Sequence, residues 1–383
     1  MNLRPVVLLS ANEPWNLINF RKPVIRALQQ RGVAIAAAAA LQSARDHQAV
    51  AQLEQLGCSF HPIPIAPMGT RLRDDVATLI AYVRLMRRIR PSAYLGWTIK
   101  PNIYGALAAR FCDVPAILNI SGLGTAFLET STVARVAQGL YRVSLRKAHA
   151  VLFQNEADRA EFVTRKLVRS AQACLVNGSG IDLEHFRPRP PERGAGTSFL
   201  MIARLIGDKG VREYVAAARA LKAEDPSLCF RLLGFLDVEN RSAISRRELT
   251  SWIDEGVIDF HPAVEDVRPH IAAAAYVVLP SYREGTSRVL LEAAAMARPI
   301  VTCDVPGCRD VVEDGVNGFL CQPRDPLSLT AAMRRACHAS EDDRVHMGEA
   351  GRAIAVARYS EEAVAQAYAE LLASATTPGA ATR

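Results

Sequence analysis

Two acidic residues, Glu284 and Glu292, stand in a segment whose composition suits the binding of a long polar ligand. A buried strand from Tyr276 to Leu279 is predicted to run into a polar loop that contains Glu284, and a helix starting near Thr286 would carry Glu292. On a single helix, roughly 12 Å of axis would separate the two carboxylates. They therefore suit two ends of one ligand and not one shared atom.

A sugar nucleotide is such a ligand, because it has hydroxyls at both ends and a diphosphate between them. Carboxylates accept hydrogen bonds from paired hydroxyls. The N–H groups of Gly285, Thr286 and Ser287, at the predicted helix start, are expected to be free to hold the diphosphate. The alternative interpretation is a helix N-terminus with two ordinary surface acids.

The flanking residues carry a family resemblance. The segment from Ser281 to Ala293 reads S-Y-R-E-G-T-S-R-V-L-L-E-A, and R-P-I-V-T-C-D-V-P-G follows it. This string resembles the donor-site signature of the family 4 retaining glycosyltransferases, which implies that Glu284 contacts the donor hexose and Glu292 the ribose hydroxyls. Ala297 stands where the family more usually has glycine, and it fits if the backbone avoids a positive φ angle there.

A second motif, Arg204 to Gly210, reads R-L-I-G-D-K-G and follows the first strand of the C-terminal half. Two cations at a strand end and a helix start can flank a diphosphate whose charge grows as it leaves. The motif matches the family's R-L-x-x-x-K-G, so the resemblance implies that Arg204 and Lys209 bind the diphosphate. Gly234 and Val264, at strand ends of the same predicted rim, would meet the nucleotide base. A solvated basic turn is the alternative.

The loop after the first strand is the first candidate for acceptor binding, since open α/β sheets bind ligands beyond the carboxyl ends of their strands. Asn12, Trp15 and Asn16 lie in this loop, before a helix predicted from about Phe20. They supply hydrogen bonds and one stacking face, although Trp15 also suits a packing anchor. Lys100, at the turn after a later strand, could meet a phosphate or face solvent.

A longer string narrows the resemblance. Y-L-G-W-T-I-K-P-N-I-Y-G at Tyr94 to Gly105, with V-P-A-I-L-N-I-S-G-L-G after it, resembles bacterial family 4 enzymes that extend polyprenyl-diphosphate-linked glycans in capsule, lipopolysaccharide O-antigen or N-glycan assembly, including N-acetylhexosaminyltransferases. Many members carry a histidine after this second strand, which this chain lacks. Ser121 and Gly122 are the candidates for its role. His149 and His261 are interpreted as structural.

A basic amphipathic helix is predicted from Asp74 to Arg90, with acids at its start and arginines in its later half. This arrangement suits the helix dipole, so a plain surface helix explains much of it. The sharper interpretation is contact with an anionic membrane or a lipid-linked diphosphate. The residues proposed for that contact are Arg71, Arg73, Arg84, Arg87, Arg88 and Arg90.

Strand-like and helical runs alternate through both halves, which predicts an α/β fold with parallel sheets. The resemblance implies a GT-B architecture, in which two Rossmann-like domains face each other across a cleft and a C-terminal helix crosses back to the N-terminal domain. The predicted divisions are an acceptor domain at 1–186, a linker at 187–196, a donor domain at 197–355, a final helix at 356–375 and a disordered tail at 376–383.

The charge, cysteine spacing and hydropathy of the whole chain limit which partners and which cellular location we expect. The 383 residues carry a formal charge of +7, which favours an anionic partner. The eight cysteines form no C-x2-C pair, so neither a zinc site nor a disulfide framework is indicated. No apolar run is long enough to span a membrane, and we expect the protein in the cytoplasm, at the inner face of its membrane. No D-x-D motif appears, and we expect neither a metal nor a cofactor.

The sequence therefore predicts a retaining glycosyltransferase that moves a hexose or N-acetylhexosamine from a nucleotide sugar, UDP-linked, to a polyprenyl-diphosphate-linked saccharide. Two other classes stay open. A sugar-nucleotide epimerase shares the two-lobed architecture but needs catalytic acids that the sequence does not identify. A non-catalytic nucleic-acid binder fits the charge, yet the arginines are interspersed with acids and no recognition motif is present.

Overall fold

The structure, a computed structural model, describes residues 4–66, 71–122, 132–189, 197–236 and 240–377. The chain divides into two compact units. The first comprises Met1–Ser179 together with Glu361–Arg383, and the second comprises Gly180–Ser360. Each unit is a parallel sheet covered by helices, so the predicted α/β class with two Rossmann-like domains is confirmed.

The first unit is built on a parallel sheet with the order β3-β2-β1-β4-β5-β6-β7. Strands β4 and β5 are buried along their whole length, as parallel strands covered on both faces must be. The strands are β1 (Val6–Ser10), β2 (Ala34–Ala39), β3 (Ser59–Pro62), β4 (Ala93–Trp97), β5 (Ala116–Ile120), β6 (Ala150–Phe153) and β7 (Ala173–Leu175).

Helices cover both faces of this sheet. A capping box between Ser43 and Asp46 begins the second of them. The helices are α1 (Pro14–Gln30), α2 (Ala44–Gln55), α3 (Leu72–Ile89), α4 (Ala106–Phe111) after a π-helical turn (Pro101–Gly105), α5 (Thr132–Leu145), α6 (Glu156–Thr164) and, from the chain's C-terminal end, α13 (Glu361–Thr376).

Helix α13 completes a core of the first unit. Val364, Ala365 and Tyr368 are buried in the same apolar cluster as the inner face of α1. The indole Nε1 of Trp97, at the end of β4, donates a hydrogen bond to the Tyr368 hydroxyl at 3.0 Å. The last helix therefore closes one face of the N-terminal sheet.

The second unit repeats the layout with the order β10-β9-β8-β11-β12-β13, all parallel. Its strands are β8 (Ser198–Arg204), β9 (Cys229–Phe235), β10 (Asp259–Pro262), β11 (Tyr276–Leu279), β12 (Ile300–Cys303) and β13 (Gly318–Cys321). Its helices are α7 (Val211–Glu224), α8 (Arg246–Asp254), α9 (Arg268–Ala272), α10 (Arg288–Ala295), α11 (Pro326–His338) and α12 (Glu341–Arg358).

The division between units differs from the predicted one. It falls between Ser179 and Gly180, not after residue 186, because Ile181 and Phe186 are buried in the core of the second unit. The return to the first unit begins at Glu361, since residues before it still belong to α12 and its end. Most of the predicted linker and tail, 190–196 and 378–383, lies outside the described residues.

Two local expectations also need correction. Helix α1 begins at Pro14, not near Phe20, because a proline at the first helical position loses no hydrogen bond and already has a helical φ angle. Ala297 has a φ angle of 53°, so it adopts the left-handed conformation that its replacement of glycine was expected to avoid. An alanine there stores backbone strain.

Candidate active site

The second sheet gathers its sequence-predicted residues at one edge. Arg204 ends β8, Gly234 lies in the last part of β9, Val264 follows β10, and Glu284 follows β11. Because carboxyl ends of parallel strands meet at one edge of a sheet, these positions share the edge where open α/β sheets bind ligands. Lys209 joins them from the short 3-10 turn after β8.

Two segments meet at the centre of this edge: the basic turn (residues 204–210) and the acidic loop (residues 280–287). Gly210 has a φ angle of 76°, and a Cβ atom there would lie 2.2 Å from the carbonyl oxygen of Pro280. The backbone N–H of Tyr282 donates to the carbonyl oxygen of Asp208 at 3.0 Å. Glycine therefore lets the basic turn lie directly against the acidic loop.

The contact between these segments pairs the two residues assigned to the reacting end of the ligand. The ammonium Nζ of Lys209 forms an ion pair with Oε1 of Glu284. The side chains are 20% and 14% exposed, so solvent and a ligand can still reach them. Glu284 can accept hydrogen bonds from ligand hydroxyls, and Lys209, in contact with it, can bind a phosphate.

A turn after β12 supports the acidic loop from beneath. Gly307 has a φ angle of 79°, and a Cβ atom there would lie 2.4 Å from the carbonyl oxygens of both Glu284 and Gly285. The N–H of Glu284 donates to the carbonyl oxygen of Pro306 at 3.2 Å. Burial raises the pKa of the neighbouring Cys308 thiol to about 12, and the Glu284 charge acts in the same direction. Cys308 thus remains a neutral packing residue.

Glu292 lies in α10 and is 9% exposed. Burial raises its pKa, while Arg288, one turn earlier, opposes that rise. The Arg288 Nε lies 3.1 Å from Glu292 Oε1, and the guanidinium packs 5.9 Å from the ring centroid of Phe186. A buried carboxylate held by one cation is a strong acceptor for ligand hydroxyls, because the surroundings screen it weakly.

The helix start differs from the prediction. Helix α10 begins at Arg288, with Ser287 as its N-cap and no side-chain cap hydrogen bond. Contrary to the sequence prediction, the N–H of Ser287 is not free, since it donates to the carbonyl oxygen of Gly307 at 3.4 Å. Gly285 and Thr286 also have contacts within the protein.

The outer residues of this edge have unequal roles. Arg204 is exposed, and its guanidinium has no hydrogen bond or ion pair among the described residues. At Gly234 a Cβ atom would lie 1.9 Å from the carbonyl oxygen of Ala203, so strand packing already explains this glycine. Val264 is 39% exposed beyond the edge strand. Arg204 is therefore the cation that a ligand could take without breaking a side-chain contact within the described chain.

The equivalent edge of the first sheet is already engaged in internal contacts. The N–H of Asn12 donates to Thr98 Oγ1 at 3.0 Å, and the Thr98 hydroxyl donates back to Asn12 Oδ1 at 2.9 Å. Lys100 forms an ion pair of 3.0 Å with Asp75 in α3, and both side chains are largely buried. Lys100 is therefore paired in the free protein, and its contact with a phosphate stays a prediction.

The remaining acceptor candidates lie on or near this edge. The Arg45 guanidinium lies 4.0 Å from the Trp15 ring centroid, so Trp15 is partly a packing residue. Asn16 Oδ1 is buried without a hydrogen-bond partner among the described residues. Ser121 is exposed at the end of β5, and Gly122 has a φ angle of 137°. Residues 123–130, which complete that motif, lie outside the described residues.

Both histidines interpreted as structural have side-chain partners. His149 Nε2 lies 2.9 Å from Ser374 Oγ in α13, and burial lowers the His149 pKa. His261 Nε2 lies 2.9 Å from Asp259 Oδ2, two residues earlier in β10. Neither contact requires a ligand.

Helix α3 carries its predicted basic face outward. All six arginines proposed for membrane contact, Arg71, Arg73, Arg84, Arg87, Arg88 and Arg90, are exposed. Large apolar side chains share that surface: Leu72 is 77% exposed, Val76 45% and Ile80 44%. Their spacing of four residues aligns them along one helical stripe.

Sequence reasoning missed two residues beside the acidic loop. The Tyr282 hydroxyl donates to Glu213 Oε1 at 2.6 Å, and the Arg324 guanidinium lies 4.8 Å from the Tyr282 ring centroid. Tyr282 stands within the quoted motif, but nothing in the local pattern names its distant partners. Among the described residues, no group of three or more His, Cys, Asp or Glu side chains could hold a metal ion.

Comparison with protein families gives matches over both units. Residues 196–339 match the model described as glycosyl transferases group 1, and residues 22–178 match the glycosyl transferase 4-like domain. The chain is a family 4 glycosyltransferase. The match to the second unit spans the basic turn and the acidic loop.

Curated relatives of this glycosyltransferase include bacterial enzymes of glycan assembly. The N,N'-diacetylbacillosaminyl-diphospho-undecaprenol alpha-1,3-N-acetylgalactosaminyltransferase of Campylobacter jejuni is 29% identical over 290 residues, 71% of this chain and 74% of the relative. The capsular polysaccharide biosynthesis glycosyltransferase CapM of Staphylococcus aureus is 22% identical over 318 residues, 79% of this chain and 82% of the relative.

Solved structures share the fold of the glycosyltransferase over nearly its full length. A sucrose-phosphate synthase from Thermosynechococcus elongatus aligns with a TM-score of 0.78 and 18% identity, covering 97% of this chain and 100% of that one. The HepE protein of Anabaena, in complex with UDP and glucose, aligns with a TM-score of 0.74 and 18% identity over the same shares. The GT-B fold is thereby confirmed.

Within the described residues of this glycosyltransferase, no helix combines the length and apolar character needed to cross a membrane.

Proposed function

We propose that this glycosyltransferase transfers a hexose or N-acetylhexosamine from a UDP-sugar to a polyprenyl-diphosphate-linked saccharide, with retention of configuration at the anomeric carbon. The observation that carries the proposal is the ion pair between Lys209 and Glu284, beside exposed Arg204 and one helix away from buried Glu292. The proposal assigns these groups to the three parts of a nucleotide sugar: Glu292 to the ribose, Arg204 and Lys209 to the diphosphate, and Glu284 to the hexose.

In this proposal each group contacts one part of the donor. Glu292 accepts hydrogen bonds from the ribose hydroxyls, Arg204 and Lys209 neutralise the diphosphate, and Glu284 orients the hexose through its hydroxyls. Because Lys209 and Glu284 contact each other in the free protein, the donor must enter between them or share them. The binding step exchanges one internal ion pair for two ligand contacts.

The chemical step follows from this placement. The acceptor hydroxyl attacks the anomeric carbon on the face from which the diphosphate departs, and the departing phosphate oxygen takes the hydroxyl proton. The bond from the anomeric carbon to the phosphate oxygen breaks as the new glycosidic bond forms. The cations at Arg204 and Lys209 stabilise the negative charge that grows on the leaving UDP. Glu284 holds the sugar and forms no covalent bond to it.

The acceptor class rests on the names of relatives and on the surface of the first unit. The Campylobacter relative acts on an undecaprenol-linked diphosphate, as its name states. Helix α3 combines exposed arginines with an exposed apolar stripe, and anionic lipid surfaces attract such helices. We therefore propose that α3 contacts the membrane in which the acceptor is anchored.

The proposal can be tested in two stages. A thermal-shift panel with UDP-N-acetylgalactosamine, UDP-N-acetylglucosamine, UDP-glucose, UDP-galactose and GDP-mannose, each with and without EDTA, should show a selective stabilisation by one UDP-sugar that EDTA leaves unchanged. That donor is then incubated with a polyprenyl-diphosphate-linked saccharide, and the linkage of the product is read by NMR. An epimerised donor formed without any acceptor, or an inverted product, would contradict the proposal.

A further inference from the structure

A tyrosine and a glutamate outside the assigned donor contacts connect the two segments that carry Lys209 and Glu284. Tyr282 lies in the acidic loop, two positions before Glu284, and Glu213 lies in the first turn of α7, shortly after Lys209. The Tyr282 hydroxyl donates to Glu213 Oε1 at 2.6 Å. A hydroxyl-to-carboxylate bond of this length belongs to the stronger class of protein hydrogen bonds.

The surroundings keep this bond formed. Burial and the hydrogen bond to Glu213 both raise the pKa of Tyr282, so its hydroxyl stays protonated and remains a donor. The second carboxylate oxygen of Glu213 is buried and has no hydrogen-bond partner among the residues that the structure describes. The Arg324 guanidinium covers the tyrosine ring at 4.8 Å. Glu213 therefore has one strong partner, and loss of that partner would leave its carboxylate buried and unpaired.

The same two segments also meet through their backbones. The N–H of Tyr282 and the hydroxyl of Ser281 both approach the carbonyl oxygen of Asp208, at 3.0 and 3.3 Å. These bonds hold the start of the acidic loop. The bond between Tyr282 and Glu213 adds a side-chain connection on α7, which continues directly from the turn that carries Lys209.

We propose that Glu213 and Tyr282 are a positioning pair that fixes the acidic loop relative to the basic turn, so that Glu284 and Lys209 keep the separation that transfer requires. The inference rests on the proposed function, because it concerns the same donor site. Neither residue is assigned a contact with the sugar or the phosphates. Small displacements of positioned groups lower turnover more than binding, since the transition state depends more strongly on geometry.

The test compares two tyrosines changed in the same way. Tyr282→Phe removes the hydroxyl that Glu213 accepts. Tyr276→Phe is the matched control, because Tyr276 lies in β11, the strand that leads into the acidic loop, and its buried hydroxyl has no partner among the described residues. We expect Tyr282→Phe to lower kcat about tenfold with a donor KM within about twofold of wild type, and Tyr276→Phe to leave both unchanged.

A second pair of variants separates positioning from mere folding. Glu213→Gln retains an oxygen that can accept from Tyr282 and should keep most of the turnover, whereas Glu213→Ala should lose about as much as Tyr282→Phe. The double variant Tyr282→Phe with Glu213→Ala should lose no more than either single one, because both remove the same bond. Additive losses, or a fall in kcat matched by the same fall in folded protein, would overturn the positioning role.

A structural readout keeps the inference independent of the donor's identity. In a crystal structure of the free Tyr282→Phe variant, the contact between Lys209 and Glu284 should be lost or lengthened relative to wild type. An unchanged contact would overturn the inference even if no donor were known. By contrast, a wild-type protein that transfers no sugar would overturn the proposed function and leave this structural outcome to be judged separately.

Discussion

The two sheets have the same strand order around their centres, β3-β2-β1-β4-β5 in the first unit and β10-β9-β8-β11-β12 in the second, yet their carboxyl edges differ. Their edge strands even share a Phe-His-Pro sequence, at Ser59–Pro62 and Asp259–Pro262. In the second unit, glycines allow the loops to pack closely against each other. Lys209 and Glu284 form an ion pair there, at an edge that solvent can reach. In the first, Lys100 is paired with Asp75 and Asn12 with Thr98. Topology selects the edge, and loop composition decides what the edge can bind.

The largest expected effect tests whether the reacting site belongs to the second edge. Glu284→Gln should lower kcat about a hundredfold, because an oriented polar contact to the reacting group is lost. Binding of UDP alone, measured by calorimetry, should stay within about twofold, since UDP lacks the hexose. The counterpart on the first edge, Asp75→Asn, should cost far less turnover. Equal losses from the two substitutions would contradict the contrast between the edges.

The next effect separates the two acids of the second edge. Glu292→Ala should weaken UDP binding about thirtyfold, because a buried carboxylate that accepts ribose hydroxyls is removed. Unlike Glu284→Gln, it should raise KM more than it lowers kcat at saturating donor. An unaltered dissociation constant for UDP would remove the ribose contact from the proposal.

The stability that Glu292 contributes to the protein should depend on pH. Burial raises the pKa of Glu292 in the folded protein above its unfolded value, so the folded state holds this proton more tightly. The stability linked to this group is therefore full below the unfolded pKa and falls as the pH rises through the folded pKa. Thermal unfolding of Glu292→Gln against wild type should show a stability advantage for the variant that grows as the pH rises above the ordinary pKa of a glutamate side chain. A constant difference would mean that the carboxyl does not titrate in this way.

A smaller effect is expected in the first unit, where exposed arginines lie on the surface of α3. Arg84→Gln with Arg87→Gln in α3 should weaken sedimentation with phosphatidylglycerol vesicles about tenfold at low salt, and little with phosphatidylcholine. The exposed arginines of α8, Arg246 and Arg247, serve as the matched control in the second unit. If that control pair reduced vesicle binding as strongly, the membrane contact could not be assigned to α3.

The smallest effect concerns the frame that holds the second site. Ala297→Gly should stabilise the protein by about 0.5–1 kcal/mol, because glycine adopts a φ angle of 53° without the cost that alanine bears. Ala293→Gly, inside α10, should destabilise instead, since glycine disfavours helix interiors. Urea unfolding of the two variants measures both signs. Destabilisation by Ala297→Gly would show that the strain there is already compensated.

The order of elements and the grouping of the motif residues at one edge of the second sheet could be predicted from the sequence, because both rest on local patterns. Alternating strands and helices define parallel sheets, and the spacing of Arg204, Lys209, Glu284 and Glu292 is readable in one line of text. The failures involve partners far apart in the chain. The ion pair of Lys100 with Asp75 was not visible in the sequence, and the N–H of Ser287 was expected to be free because Gly307 lies in a later turn.

The backbone strain at Ala297 and the partner of Tyr282 also depend on contacts between residues that are far apart in the chain. The φ angle of Ala297 depends on how tightly its turn packs against α12. A Cβ atom added to Gly348 in that helix would lie 2.2 Å from the carbonyl oxygen of Ala297. The bond between Tyr282 and Glu213 joins the acidic loop to α7, 69 positions apart in the chain. Local propensity carries no information about such contacts, which only the completed fold creates.

Helix α13 has a consequence for how the protein is made. Residues Glu361–Thr376 supply Tyr368 and its apolar neighbours to the first unit, although the ribosome adds them after the whole second unit. Until then the first unit has α1 and α2 on that face of its sheet but lacks Tyr368 and its apolar neighbours, so this core is completed only after the second unit has been synthesised. During synthesis the first domain of a chain usually folds first. The core of this first unit is instead completed last.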